Sequence, residues 1–163
     1  MDDDPESSRS QRATAPWLSK ALLLLMPRLH IPHALRQVVI ARAGERCEYY
    51  LLHQDDRPES HQVDHIIALK HGGQTVRENL VLACAVCNNN KGSDLATLDW
   101  TSGQIVPLFN PRQHNWRDHF HFEGAQIIGS TAIGQATVRL LRLNDPERVA
   151  SRQILIELGL YPP

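Results

Sequence analysis

Hydrophobic positions recur in short blocks along the 163-residue chain, and the spacing within each block predicts its secondary structure. Residues 1–14 are polar and charged without apolar periodicity, which is typical of a disordered tail. Residues 15–33 form the next segment, in which Pro16 to Met26 has the apolar spacing of a helix and is expected to dock on exposed core. A second helix is predicted over 34–43, with Gly44 as its C-terminal cap.

The middle of the chain predicts two short strands and a helix around a glycine turn. Residues 61–69 and 80–83 combine β-branched and other apolar residues in the short runs that are typical of strands. Gly72 and Gly73 lie between these runs and predict a turn. From Asn88 to Leu98 the apolar spacing predicts a helix, so the order is strand, loop, strand, helix.

The last third of the chain predicts a hairpin and two helices. A loop with one short strand is expected over 100–111, and the alternation within 116–129 predicts a hairpin. Helical spacing extends over 131–143 and again over 146–158. Strands and helices that are grouped in this way indicate the α+β class.

Composition narrows the classes of function. Hydrophobic residues make up 42% of the chain and aromatic residues only 6%, so the core must be mainly aliphatic. The formal net charge of -1 means that any contact with nucleic acid must come from a local basic patch. The acidic start is unlike a secretory signal, and the apolar run near it is too short for a membrane span. We therefore expect a soluble cytoplasmic protein.

Five polar residues in the middle of the chain could together bind a divalent metal, activate a water and contact a phosphate. Asp64 and Asn88 offer oxygen ligands, which suit Mg²⁺ or Mn²⁺. His65 can accept a proton from water near neutral pH. Asn79 could fix the glycine loop by bonding to nearby backbone. Lys91 would share a helix face with Asn88, where it could contact a phosphate.

This hypothesis makes one geometric demand. Adjacent residues of a strand point to opposite faces. Asp64 and His65 can therefore reach one site only if the strand ends or bends at that point.

The three cysteines give a second candidate site. Their odd number argues against a closed disulfide framework. Cys84 and Cys87 form half of a zinc knuckle, and Cys47 could be a third ligand. The position expected for a fourth ligand carries Tyr50, which leaves His53, a carboxylate or solvent as a substitute. The alternative is that no zinc is bound and the three thiols are buried.

The pattern of these residues resembles the HNH endonuclease family. The resembling positions are Cys47, Val63 to Ile67, Gly72 and Gly73, Asn79 and Leu80, Cys84 to Asn88, Lys91 and Gly92. The His, Asn and final His or Asn that give the family its name correspond to His65, Asn79 and Asn88. The resemblance covers about 34–100 and implies a nuclease domain with a ββα-metal fold, in which two strands and a helix cradle one divalent ion.

The resemblance also implies an activity and a set of roles. The protein would be a metal-dependent endonuclease that hydrolyses phosphodiester bonds of DNA. His65 would be the general base, Asp64 and Asn88 would lie on the metal, and Asn79 would hold the loop. The paired cysteines would bind a structural zinc outside the active site.

Two features of the chain lie outside that core pattern. The region from Ile105 onward resembles the C-terminal extension of small bacterial stand-alone HNH proteins, and residues 101–163 are expected to form an extension that packs on the core. Tyr50 departs from the family, because zinc-bearing members have a cysteine there. Two alternatives to the enzyme stay open: a non-catalytic nucleic-acid-binding or protein-binding module on a degenerate fold, and a zinc-knuckle scaffold for protein contacts.

The remaining histidines and arginines are interpreted mainly as surface residues. His61 and His71 are expected to be solvated loop residues. An exposed face of a strand or turn is predicted for His114, His119 and His121. A grip on the DNA backbone and an ordinary charged surface are equally open for Arg112, Trp116 and Arg117. A solvated helix face is predicted for Arg139, Arg142, Arg148 and Arg152.

Overall fold

The computed structural model describes residues 31–162. The predicted tail over 1–14 and the predicted docking helix from Pro16 to Met26 lie outside these residues. The helices are α1 (His33–Arg42), α2 (Ala85–Lys91), α3 (Trp116–His119), α4 (Ala132–Leu140) and α5 (Pro146–Glu157). The strands are β1 (Gln62–His65), β2 (Leu80–Ala83), β3 (Ala96–Leu98), β4 (Ile105–Pro107), β5 (Phe120–Glu123) and β6 (Gln126–Gly129).

The strands form three separate antiparallel pairs, β1 with β2, β3 with β4, and β5 with β6. The mixture of small antiparallel sheets and helices confirms the predicted α+β class. In the first pair Asp64 lies opposite Val81 and His65 opposite Leu80. The helix α2 follows β2 after a single residue, so strand, strand and helix occur in the predicted order.

Two apolar clusters hold these elements together. The smaller cluster joins Val39 of α1 to Val63, Leu80 and Leu82 on one face of the first sheet. The larger cluster joins the cysteine region to residues of the last third, including Phe109, Phe120 and Leu143. Because that cluster is continuous, residues from both regions share one core. The boundary predicted between residues 100 and 101 stays a prediction.

The C-terminal hairpin packs closely on α4. A Cβ at Gly129 would lie 2.2 Å from the backbone nitrogen of Gln135, and one at Gly134 would lie 2.1 Å from the carbonyl oxygen of His119. Only a residue without a side chain allows the two backbones to approach this closely. The predicted hairpin is confirmed for residues 120–129, whereas Trp116–His119 is a short helix. The last two predicted helices are confirmed with shorter bounds.

The helix predicted from Asn88 to Leu98 is wrong. The helix begins earlier, at Ala85, and ends at Lys91, because Gly92 follows with a positive φ of 47°. Ala96 to Leu98 is instead a strand paired with Ile105 to Pro107. Within residues 31–162, none of the helices has the length and apolarity that crossing a bilayer requires.

Candidate active site

The strand β1 ends at His65, which is where the two adjacent candidate residues meet. Val63 and His65 point to the buried face, while Asp64 lies on the other face and is partly exposed. The next residue, Ile66, leaves the strand register and donates its N–H to the carbonyl oxygen of Asn79 at 2.9 Å. At this strand end, His65 Nδ1 lies 3.7 Å from Asp64 Oδ1. The required approach of the two side chains is therefore present.

The imidazole of His65 is oriented by a hydroxyl group. Its Nε2 lies 2.9 Å from Thr75 Oγ1, and the residue is only 7% exposed. An Nε2–H that donates to this hydroxyl leaves the Nδ1 lone pair free, on the side of Asp64. Sequence reasoning missed Thr75, because a threonine ten residues away in a loop carries no signal of this contact.

Asn79 clamps the glycine loop by three hydrogen bonds. Its Nδ2 donates to the carbonyl oxygens of Ile67 and Gln74, and its Oδ1 accepts from the N–H of Ile67, all at 2.9 Å. Gly73 fits under this clamp, because a Cβ there would lie 1.8 Å from the carbonyl oxygen of Ile67. The clamp holds the chain just after His65 in place.

The helix α2 bridges to β1 on both sides of Asp64. Asn88 Nδ2 donates to Gln62 Oε1 at 2.7 Å, and Lys91 Nζ donates to the carbonyl oxygen of Ile66 at 2.8 Å. Gln62 and Ile66 are the residues two before and two after Asp64. Asp64 thus lies on β1 between the two residues that α2 contacts.

Lys91 is not placed as a surface phosphate contact. The residue is 5% exposed, and its ammonium donates to the carbonyl oxygens of Ile66 and Gly92. Burial lowers the pKa of Lys91, and the nearby carboxylates of Asp64 and Asp94 partly offset that effect. This geometry corrects the sequence-based interpretation, because Lys91 holds the end of β1 against α2.

The donor set around Asp64 fits a hard divalent cation. Among residues 31–162, His65 is the one basic side chain within ion-pair distance of the Asp64 carboxylate. The Asp64 side chain is 40% exposed, so a cation from solvent can reach it. Asn88 uses its amide nitrogen for Gln62, which leaves its amide oxygen as a donor. A carboxylate oxygen and an amide oxygen suit Mg²⁺ or Mn²⁺.

Comparison with known proteins places this region in a family. Residues 45–94 match the family model described as HNH endonuclease. The chain carries an HNH domain. The matched segment contains β1, β2, α2 and the clamped loop, and HNH domains generally act on nucleic acids. No curated protein and no solved structure matches the chain.

The HNH domain also contains a compact cysteine cluster. The sulfur atoms of Cys47, Cys84 and Cys87 all lie within 4.8 Å of one another, close enough to hold a metal ion, and all three residues are buried and unbonded to each other. Burial raises the pKa of Cys47 and Cys87, whereas hydrogen bonds from these two thiols lower the pKa of Cys84.

The fourth corner of that cluster carries no metal ligand of the expected kind. Among residues 31–162, no histidine or carboxylate joins the three sulfurs. Tyr50 is buried, and its hydroxyl donates to the carbonyl oxygen of Arg148 at 2.9 Å. His53 lies elsewhere, where its ring contacts Glu45 and Asp55. The three sulfurs are therefore suitable metal ligands, but these residues supply no fourth protein ligand for a closed zinc site.

The histidines outside the candidate site have other partners. The prediction that His61 is solvated is wrong, because it is buried and its Nε2 lies 2.9 Å from the carbonyl oxygen of Leu52. His114 and His119 pack their rings 4.8 Å apart and both contact Phe109. His121 is on the exposed side, as predicted for all three.

Two of the arginines predicted to be solvated are buried. Arg148 is 4% exposed and Arg152 is fully buried. Arg112 is also partly buried, in an ion pair with Glu48, and Trp116 donates its indole N–H to the carbonyl oxygen of Tyr49. These contacts favour structural roles for Arg112 and Trp116 over a grip on DNA.

Proposed function

We propose that this protein is a metal-dependent HNH endonuclease that hydrolyses phosphodiester bonds of DNA. The observation that carries the proposal is the approach of His65 Nδ1 to the Asp64 carboxylate at the end of β1. Asn88 lies on the facing helix, bonded to Gln62 on the same side of the strand as Asp64. Base and oxygen donors thus gather at one partly exposed place, as hydrolysis requires.

His65 is the general base in this mechanism. The hydroxyl of Thr75 holds Nε2, so Nδ1 accepts the proton of the attacking water. The partial exposure of Asp64 leaves the solvent side open for water and for a phosphate. Because His65 is itself held by its neighbours, the water is positioned rather than free to diffuse.

Asp64 and Asn88 would hold the divalent cation through their side-chain oxygens. When bound, Mg²⁺ or Mn²⁺ supplies Lewis acidity that stabilises negative charge on the phosphate. Asn79 acts through the loop, since its three bonds fix the backbone that follows His65. Lys91 is proposed to position Asp64 by fixing the strand end.

The first prediction tests the base. The substitution His65→Ala is expected to slow cleavage of plasmid DNA in Mg²⁺ or Mn²⁺ by about 10²-fold to 10⁴-fold, the range of a general base. The matched control is His33→Ala, at an exposed position at the start of α1, which should cleave like the wild type. Rates are measured from the loss of supercoiled plasmid under single-turnover conditions.

Two results would contradict the proposal. One is an absence of cleavage by the wild-type protein with any divalent metal, and the other is equal cleavage by wild type and His65→Ala. Asp64→Asn provides a second check, since the loss of charge should raise the metal concentration needed for half-maximal cleavage.

A non-catalytic DNA-binding module is the second candidate. The feature in its favour is Tyr50, which is buried at the position where zinc-bearing family members have a cysteine and so departs from the family pattern. Binding of DNA by metal-free protein, steeply weakened by salt and without cleavage, would favour this candidate. For either function we infer a cytoplasmic setting, because three neighbouring thiols that remain unbonded are typical of a reducing compartment.

A further inference from the structure

The guanidinium of an arginine lies beside the cysteine cluster. Arg148 Nη2 lies 3.2 Å from Cys87 Sγ and 3.8 Å from Cys84 Sγ. This arginine comes from α5, more than sixty residues away in sequence, and is 4% exposed. Its guanidinium therefore reaches the sulfurs from the C-terminal region, outside the segment that matches the HNH family model.

Tyr50 holds this guanidinium in place. The guanidinium carbon lies 3.8 Å from the centre of the Tyr50 ring, and the Tyr50 hydroxyl donates to the backbone carbonyl oxygen of Arg148. The other nitrogen of the fork, Nη1, donates to the carbonyl oxygen of Leu141 at 3.0 Å. A cation stacked on an aromatic face and bonded at both nitrogens has a fixed orientation.

Each sulfur of the cluster already has a polar partner within the protein. Cys47 Sγ accepts a hydrogen bond from the backbone N–H of Tyr50 at 3.4 Å, and the Arg148 guanidinium donates to the sulfurs of Cys84 and Cys87. Among residues 31–162, no carboxylate lies within ion-pair distance of Arg148. A buried guanidinium needs a partner for its charge, and the sulfurs are the groups that face it.

We propose that Arg148 takes the place of a structural zinc at this cluster, so that the knuckle is closed by an arginine from α5 and holds no metal. The position of the absent fourth ligand is occupied by Tyr50, whose ring supports the arginine instead of binding a metal. This arrangement gives the C-terminal region a role, since its helix completes the fold of the HNH domain. The proposal is independent of whether the protein cleaves DNA.

The decisive measurement is the metal content of the full-length wild-type protein. The protein is produced in medium with added zinc, purified without chelators and analysed for all transition metals by mass spectrometry. The expected result is far less than one metal ion per chain. Thermal melting should then be unchanged by a strong zinc chelator and should not rise with added zinc, because no ligand binds the native state.

A paired variant tests the exchange of arginine for metal. The double variant Tyr50→Cys, Arg148→Met adds a fourth cysteine sulfur to the cluster and at the same time removes the guanidinium. The backbone at residue 50 already points its N–H at Cys47 Sγ, so a cysteine there starts beside the cluster. The folded double variant is expected to bind one zinc per chain and to melt at a lower temperature after chelation.

Two results would overturn the proposal. The first is about one zinc per chain in the wild-type protein, together with a melting temperature that falls when zinc is removed. The second is a double variant that is folded by circular dichroism yet gains no zinc. The first result is obtained on unmodified protein, so it decides the matter even where the double variant does not fold. Neither measurement uses DNA cleavage.

Discussion

A single hydroxyl contacts one ring nitrogen of His65 and leaves the other facing Asp64. Thr75 Oγ1 is 2.9 Å from Nε2, while Nδ1 faces the Asp64 carboxylate at 3.7 Å. At this scale the proposed chemistry depends on the orientation of one ring. In the proposed mechanism, a residue outside the family pattern therefore positions the general base.

The second prediction concerns this hydroxyl. Thr75→Ala is expected to lower the maximal cleavage rate about fivefold, because one hydrogen bond of roughly 1 kcal/mol no longer orients the ring. Binding of DNA should change little, since Thr75 is not proposed to touch the substrate. Thr75→Ser keeps the hydroxyl and should keep most of the rate. Equal loss in both variants would show that the methyl group, not the hydroxyl, matters.

The residue scale also shows how far a sequence can be interpreted. Adjacency and the glycine loop predict Asp64, His65 and Asn79; in the structure Asp64 and His65 approach each other, and Asn79 clamps the loop that follows them. Nothing in the sequence predicts Thr75, because a loop of this length can present either side of its backbone. A surface position is expected for Lys91, because lysine is usually exposed, yet it is buried against two carbonyl oxygens.

The turn between β1 and β2 depends on two glycines that serve different purposes. Gly72 has a φ of 85°, and a Cβ there would meet no atom within 4 Å, so its constraint is the backbone angle. Gly73 lacks a positive φ, and its constraint is the carbonyl oxygen of Ile67 directly above it. The clamp by Asn79 needs this close approach.

The third prediction separates these two constraints. Gly73→Ala should destabilise the protein by about 2 kcal/mol, because the new methyl group overlaps backbone and forces the loop away. Gly72→Asn should cost much less, since asparagine tolerates the left-handed conformation and has space there. Urea unfolding of both variants measures the difference. Similar stabilities for the two would contradict the packing argument.

The helix α5 is anchored by a second buried arginine. Arg152 donates to the carbonyl oxygens of Ala125 and Leu143 at 2.6 Å and 2.7 Å, and to Asn144 Oδ1 at 2.8 Å. These acceptors belong to the segments before β6 and between α4 and α5. One side chain thus ties three parts of the C-terminal region together.

The fourth prediction tests that anchor. Arg152→Met should lower the free energy of unfolding by about 3 kcal/mol, because several buried acceptors lose their donor. Gln153→Met, at the exposed neighbouring position of the same helix, is the matched control and should be near neutral. Chemical unfolding followed by circular dichroism compares the two. The role would be contradicted if Arg152→Met lowered the free energy of unfolding no more than Gln153→Met does.

The sequence predicts elements well where local pattern decides them, and poorly where tertiary contacts do. The strand pair and the C-terminal hairpin follow from alternation and turns, and both are present. The apolar residues from Leu95 to Leu98 suit a helix by spacing, but pairing with β4 makes Ala96 to Leu98 a strand. Arg148 and Arg152 are four residues apart on α5, and nothing in their own helix indicates that the facing surface is an aromatic ring and sulfur atoms.

For the molecule as a whole, the fifth prediction separates catalysis from folding. Chelation by EDTA should stop DNA cleavage, and added Mg²⁺ or Mn²⁺ should restore it, because the cation that Asp64 and Asn88 are proposed to hold would be exchangeable. The melting temperature should stay the same, since Asp64 is partly exposed and the core does not depend on that cation. Differential scanning calorimetry beside the cleavage assay measures both. Unfolding on chelation would contradict this separation.

The stacking of Arg148 on Tyr50 links two positions that are 98 residues apart in sequence. In our proposal the two side chains depend on each other, since the ring supports the guanidinium and stands where other members have a thiol. Evolution should therefore have exchanged them jointly. Homologous chains with cysteine at the Tyr50 position are expected to carry an uncharged residue in place of Arg148, and chains with an aromatic residue there should retain the arginine.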